Sequence, residues 1–451
     1  MTKRVSSQQQ KFEHTRFRAT SNERIRAHWR KLCSSIGERR AGSAGDRAAT
    51  GYLLNEFHRA GLKAVHAEPF PCRSVVNAKA EIDIGVGGRW RRVPARVLSG
   101  SPSTRGSKAI ETDLIWVEMP EQARRYFRQE LLGKVAVLFG PMPTRADLHR
   151  RLVASKPAAV IHVDDRLPFE WVKDDGVYPV WAQAYGIPPT VTIPYQAAWD
   201  LRKSGATRVR LRIIAELKNV VSHNIVAEIP GRRPDLPVVL IGAHHDTQCN
   251  NTGADDNASA VVALLELARG LVAGRLLRTI RFVSFGAEEQ LSVGSAHYVK
   301  EHLREISSVA VVLNLDSVAS PLGHHWVIRG GTNEFGDWLL KRLARHGLEA
   351  VEKAFPMPFA DHFPFAAMGV PAVTFMRPNM DSGMRWQHHS AHDNLENVSV
   401  PELARVIGAV QGVTRELAQA SRLPFRRGVA PEHKAETVRL ARELFGFKIT
   451  R

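Results

Sequence analysis

Apolar positions along the chain change period several times, and the changes divide it. Ile25, His28, Trp29 and Leu32 fall on one helical face, as do Ala49, Leu53 and Phe57, which Gly61 terminates. An extended run, Ala64 to Phe70, follows. From about Val75 to Leu217 the pattern is one of short β-like runs (AEIDIGV, DLIWVE, KVAVLFG, AAVIHV, PTVTI, RVRLRIIAEL) punctuated by Pro and Gly, with one helical pattern from Ala146 to Val153. From Asn219 an α/β rhythm sets in. Strands are predicted at Val238–Ile241, Thr279–Phe285, Val309–Leu315 and Val370–Met376. Helices are predicted after Asp256 (with Asp255, Asp256 or Asn257 as cap), from Ser295, from Phe335 and from Pro401 to Ala420. A last helical face carries Val438, Ala441 and Phe445, placed to dock on this chain or on a partner.

This rhythm predicts an α/β protein with a mixed, mostly parallel sheet flanked by helices, plus an inserted β-rich domain. Four parts are expected: a disordered basic terminus (1–21), a catalytic domain in two pieces (22–75 and 219–420), the insert (76–218) and a C-terminal tail with a helix (421–451). At 451 residues and 44% apolar composition, the chain can bury a large core. The net charge of +18 raises the question of nucleic acid. The excess is spread in short pairs such as Arg39-Arg40, Arg91-Arg92 and Arg426-Arg427, which read as solvated surface, so nucleic-acid binding is not the expected function. No run approaches the roughly 20 apolar residues of a membrane helix, and no apolar leader opens the chain. The three scattered cysteines (Cys33, Cys72, Cys249) suit a reducing compartment. A cytoplasmic protein is expected, with no membrane partner; a homo-oligomer remains open.

The chemistry gathers just past the carboxyl ends of the predicted strands, where open α/β sheets place their sites. One strand leads into His244 and Asp246, with Asp256 at the far end of the loop. The others lead into Glu288-Glu289, Asp316, and a loop with His388 and His389. Imidazole and carboxylate without thiolate suit a catalytic zinc or similar divalent ion. So many ligands exceed one tetrahedral site that keeps a water; they suit two metals sharing a carboxylate. Of two adjacent glutamates in a buried pocket, one binding metal leaves the other free to act as general base. His245, His297, His362 and His392 are read as structural or supporting residues.

Six runs in order, GAHHDT, GADDNASA, FGAEEQLSVGSAHYV, NLDSV, ADHFPF and HHSAHDNLENV, resemble the co-catalytic di-zinc aminopeptidase family, which also holds glutamate carboxypeptidases and glutaminyl cyclases. The insert looks like the protease-associated domain that many members carry. The resemblance implies a zinc exopeptidase fold, two Zn2+ per subunit and a peptide substrate. It further implies that His244 and Asp316 bind one zinc, Glu289 and His389 the other, and that Asp256 bridges them. Glu288 would be the general base, and Asp246 would hold the His244 imidazole in its ligating tautomer. The activity implied is release of N-terminal residues. A carboxypeptidase- or dipeptidase-like enzyme, a glutaminyl cyclase-like enzyme and a non-catalytic binding relative are the alternatives. Where some members carry a Tyr that stabilises the oxyanion, this chain has His388, which if protonated would replace it as donor. Arg377 and Arg385 flank the last ligand loop and could clamp a substrate carboxylate.

Overall fold

The computed structural model describes residues 20–118, 129–140, 145–166, 169–173, 176 and 178–448. Most of the expected basic terminus, 1–21, lies outside them. The chain opens with α1 (Asn22–Trp29), running into a π-helical segment (Arg30–Ile36), then α2 (Ala44–Ala60), which ends at Gly61 in the left-handed conformation that a side chain resists. β1 (Lys63–Val86), β2 (Arg89–Val93), β3 (Arg96–Val97), β4 (Ile110–Glu118), β5 (Val135–Phe139), α3 (Ala146–Ala154), β6 (Ala159–Val163), α4 (Pro179–Tyr185), β7 (Thr190–Thr192) and α5 (Tyr195–Lys203) follow. β8 (Arg208–Ile229) leads back to the catalytic region. There stand β9 (Val238–His244), α6 (Ala258–Leu271), β10 (Ile280–Phe285), α7 (Val293–Glu301) and β11 (Val309–Leu315). β12 (Trp326–Arg329), α8 (Asn333–Arg345), β13 (Val351–Lys353), α9 (His362–Ala367), β14 (Ala372–Met376), α10 (Val400–Gln419) and α11 (Pro431–Phe445) complete it.

The catalytic sheet runs β13-β12-β14-β11-β9-β10-β8. Its centre, β14, β11, β9 and β10, is parallel, and β8 and β12 flank it antiparallel. The four parallel strands are apolar runs because both faces are covered. α6 is apolar almost all round for the same reason: only Arg269 of its 14 residues escapes burial. Phe57 and Leu53 of α2, with Ile25 of α1, pack into that core at zero exposure.

The strands bordering the insert are longer than their patterns suggest. β1 and β8 pair antiparallel from Lys63↔Glu228 to Gly85↔Arg208, with a bulge between Val76 and Lys79. The expected domain limits at 75/76 and 218/219 thus fall inside continuous strands. Beyond them the insert has its own sheet, parallel from β4 to β7, with β3 antiparallel at its edge. α4 and α5 make the insert more helical than its apolar runs imply, because stretches as short as PVWAQAY do not show a period. α11 docks on this chain through Leu440, Ala441, Leu444 and Phe445, one turn-face away from Val438. Trp181 of α4 donates from Nε1 to the Glu443 carbonyl at 2.8 Å, so the tail helix braces the insert as well. Among the described residues no helix is long and apolar enough to cross a membrane.

His362, on α9, shows what burial does to an imidazole in this core. It is fully buried, its Nδ1 meets the Thr374 hydroxyl at 2.8 Å, and burial pushes its pKa down to about 3. The unfolded chain protonates it near 6.5, so the stability it contributes is present above that pH and is lost as pH falls towards 3. That loss amounts to about 2 kcal/mol between pH 7.5 and 5. His362→Gln is expected to lose fewer degrees of Tm across this interval than wild type in thermal unfolding; equal losses would contradict this account.

Candidate two-metal centre

The centre is built at the carboxyl ends of the four parallel strands. β9 delivers His244 as its last residue, β10 leads to Glu288 and Glu289, β11 to Asp316, and β14 to the loop with His388 and His389. Asp256 sits immediately before Asn257, whose side chain caps α6 by accepting from Ala260 N. Non-glycine residues take left-handed backbone next to the ligands: Ala287 (φ 54), Ser292 (φ 48), Ser317 (φ 51) and His389 (φ 54). Strain of this kind persists only where surroundings enforce it, and it collects at functional sites.

Two groups of side chains have ligand atoms within 4.8 Å of one another: His244, Asp256 and Asp316, and Asp256, His388 and His389. Asp256 belongs to both. Its Oδ1 lies 3.2 Å from His244 Nε2, and its Oδ2 lies 3.7 Å from His389 Nε2. Glu289 joins the second group through Oε2, 2.9 Å from His389 Nε2. Glu288 stands 3.9 Å from His244 Nε2 and accepts from the Ser292 hydroxyl at 3.0 Å.

These residues fit a metal pair. Both ring nitrogens of His244 are buried without a hydrogen-bond partner among the described residues, although carboxylates surround them. A cation in their midst resolves both the orphaned nitrogens and the crowded acids, and a nitrogen and oxygen donor set without sulfur suits zinc-like ions. Burial works against a charged His244, yet Asp246, Asp256, Glu288 and Asp316 together raise its pKa well above the ordinary value. Burial pushes Glu288 well up, with Asp361, Asp316 and Glu289 adding to it, and raises Glu289 and Asp316 too. Asp256 is held well down against its burial by Arg385, His244 and His388.

Asp246 lies 3.5 Å from His244 Nδ1, beside the imidazole it is expected to hold, and it also accepts from the backbone: Glu288 N at 2.9 Å and Glu289 N at 3.3 Å. It fastens the β10 end to the β9 end. Burial, then His389 and Arg385, push the His388 imidazole well below its ordinary range, which disfavours the protonated ring. Arg377 is spent on the Ser320 carbonyl (2.7 Å), His325 and Glu402. Arg385 donates to Asp256 Oδ2 at 2.6 Å. Both guanidiniums are therefore held by the protein's own groups.

The sequence pattern assigns Asp393 and Arg39 no part in the site. Asp393 accepts from the backbone N–H groups of both Asp255 and Asp256, at 2.7 and 3.0 Å. Its place in HHSAHD, just past the last ligand, was the available signal. Arg39, taken as surface charge, is wholly buried. Its partners are carbonyls, which no sequence pattern announces.

The centre opens into a cavity of about 440 Å3. Asp256, Glu288, Glu289, Asp316 and the two histidines line it, together with the apolar Trp326, Ile328, Phe355, Met357, Phe359 and Met384 and the cationic Arg166, Lys173 and Arg385. A second cavity of about 640 Å3 runs between the insert and the catalytic sheet and meets the first at Gly176, Gln248 and Glu289.

A family model, Peptidase family M28, matches residues 224–413. The matched span contains every strand end that carries a candidate ligand. Aminopeptidase YwaD of Bacillus subtilis is 23% identical over 411 residues, 87% of this chain and 84% of that protein. An aminopeptidase of Pseudomonas aeruginosa is 26% identical over 333 residues, 66% of this chain and 57% of the relative. Among solved structures, a zinc aminopeptidase from Bacillus subtilis superposes with a TM-score of 0.73 at 21% identity, over 92% of this chain and 99% of that one. At that identity the likeness shows the fold. The matched span thus carries its candidate ligands at strand ends inside the fold of that zinc aminopeptidase.

Zinc added to metal-stripped protein is expected to raise its Tm, since a ligand of the folded state at 100 times its Kd adds about 2.7 kcal/mol. Asp316→Asn should keep the fold and lose most of that gain in differential scanning fluorimetry. A wild-type Tm indifferent to zinc would refute the metal assignment.

Proposed function

We propose that this chain is a zinc-dependent exopeptidase of the aminopeptidase type, removing large apolar residues from the N-termini of peptides. The observation that carries this reading is the lining of the cavity. Four carboxylates share it with a set of apolar side chains, a combination that suits a cationic terminal amine together with an apolar first side chain. The M28 match and the aminopeptidase relatives point the same way.

His244 and Asp316 are assigned to one metal, Glu289 and His389 to the other, and Asp256 to both. Zinc held there would supply a water acidic enough to serve as nucleophile near neutral pH and a Lewis acid for the peptide carbonyl. Glu288, with its high proton affinity and its contact to Ser292, takes the proton of the attacking water and delivers it to the leaving amine. Asp246 and Asp393 hold the backbone that aims these groups. The polypeptide beyond the first bond extends into the larger cavity. Carboxypeptidase action is less well supported, because Arg377 and Arg385 are both engaged by the protein's own groups.

Pure zinc-loaded protein incubated with a mixed peptide library should shorten peptides stepwise from free N-termini, fastest at Leu, Met and Phe, as read by mass spectrometry. Glu288→Gln should keep its zinc and lose about 10²–10⁴-fold in kcat. Shortening from C-termini, or a Glu288→Gln protein as active as wild type, would overturn the assignment.

A further inference from the structure

The loop from His245 to Asn257 joins the first metal ligand, His244, to the shared carboxylate, Asp256. Its shape fixes how far apart those ligands stand. Such a loop has many backbone groups to satisfy, and here they are satisfied from two sides. The N–H groups of Asp255 and Asp256 are taken by the Asp393 carboxylate. The carbonyls are taken by Arg39, which reaches in from the segment between the π-helical turn and α2. Its Nε donates to His245 O at 2.8 Å, its Nη1 to Thr252 O at 2.7 Å, and its Nη2 to Gly253 O at 3.1 Å. Its backbone N–H donates to the Thr247 hydroxyl at 3.0 Å.

The side chain is at zero exposure and, among the described residues, makes no ion pair. A buried cation without a counter-charge is costly, and a planar fork of five donors is the one side chain able to recover that cost from several carbonyls at once. The fit is close. Gly253 has φ +52°, and a Cβ there would lie 2.2 Å from the Asp256 carbonyl oxygen and 3.1 Å from Arg39 Nη2. Gly253 O also accepts from Ala258 N in the first turn of α6, so the guanidinium bears directly on the turn that presents Asp256. The first turn of α2 adds a second grip: Asp46 Oδ1 lies 3.1 Å from His245 Nε2, and Asp46 Oδ2 accepts from Gly42 N.

We propose that Arg39 is a positioning residue for the two-metal centre: by gathering the loop carbonyls on one guanidinium, it sets the spacing between His244 and Asp256 and hence the affinity for the shared pair of metals. This rests on the metal assignment above, and it places part of the metal-holding machinery in a segment that the family match, 224–413, does not reach.

The test is zinc affinity, measured by competition with a chromophoric chelator, together with the visible spectrum of the cobalt-substituted protein. Arg39→Gln is expected to fold, to bind at least one metal 10–100-fold more weakly than wild type, the usual effect of removing support from behind a ligand, and to show an altered cobalt spectrum. Arg39→Lys, which keeps the charge but not the fork, should fall between the two, and millimolar guanidinium should restore part of the affinity of Arg39→Ala. Arg39→Gln with wild-type affinity and spectrum would overturn the proposal. If Arg39→Gln does not fold, Arg39→Lys decides: unchanged affinity and spectrum in that folded variant would overturn it too. Failure of wild type to bind two metals would instead overturn the metal assignment itself.

Discussion

Mutual repulsion among buried carboxylates is the constraint around which this domain is arranged. Asp256, Glu288, Glu289 and Asp316 are brought out of water within a few ångströms of one another, and Asp255, Asp361 and Asp393 are buried close by. In a low-dielectric interior such a set is tolerable only with protons or positive charge among it. Arg385 supplies one charge, on Asp256. Metal ions held among the acids would supply the remainder. Rigid strand ends, a capped helix and left-handed backbone at the ligand positions hold the acids together when their own electrostatics would separate them.

The division of labour around the centre follows from this. The groups proposed to hold the metals stand at the ends of the parallel strands or in the loops that follow them. The groups that hold those strands' loops come from elsewhere: Asp246 across to the glutamate turn, Asp393 from beyond the last ligand, and Arg39 from the N-terminal segment. The apolar lining and the larger cavity are shared with loops and with the insert, so the surfaces that select a peptide are separable from those that cleave it.

Much of this was legible in the chain itself. Four apolar runs each ending in a His, Asp or Glu announce strand ends with chemistry on them, because strand burial and ligand type leave independent marks on the sequence. The supporting groups leave no such mark. Arg39 looks like any basic residue beside Arg40, and its meaning lies in the carbonyls of residues more than 200 positions away. The length of β1 and β8 was obscured because their solvent-facing stretches lose the alternation that a half-buried strand shows. Arg377 and Arg385 read as free forks only until their buried partners are known.

The pairing of β1 with β8 also orders events during synthesis. Lys63 faces Glu228, and the whole insert is made between them. α1 and α2 must therefore emerge, and keep Ile25, Leu53 and Phe57 without their partners, until α6 has left the ribosome. The N-terminal helices are the first part of the catalytic core to be translated and among the last to be buried. For much of its synthesis the nascent protein is an insert able to fold with an apolar N-terminal segment waiting beside it, a period in which long-range closure is slow and a chaperone has most to protect.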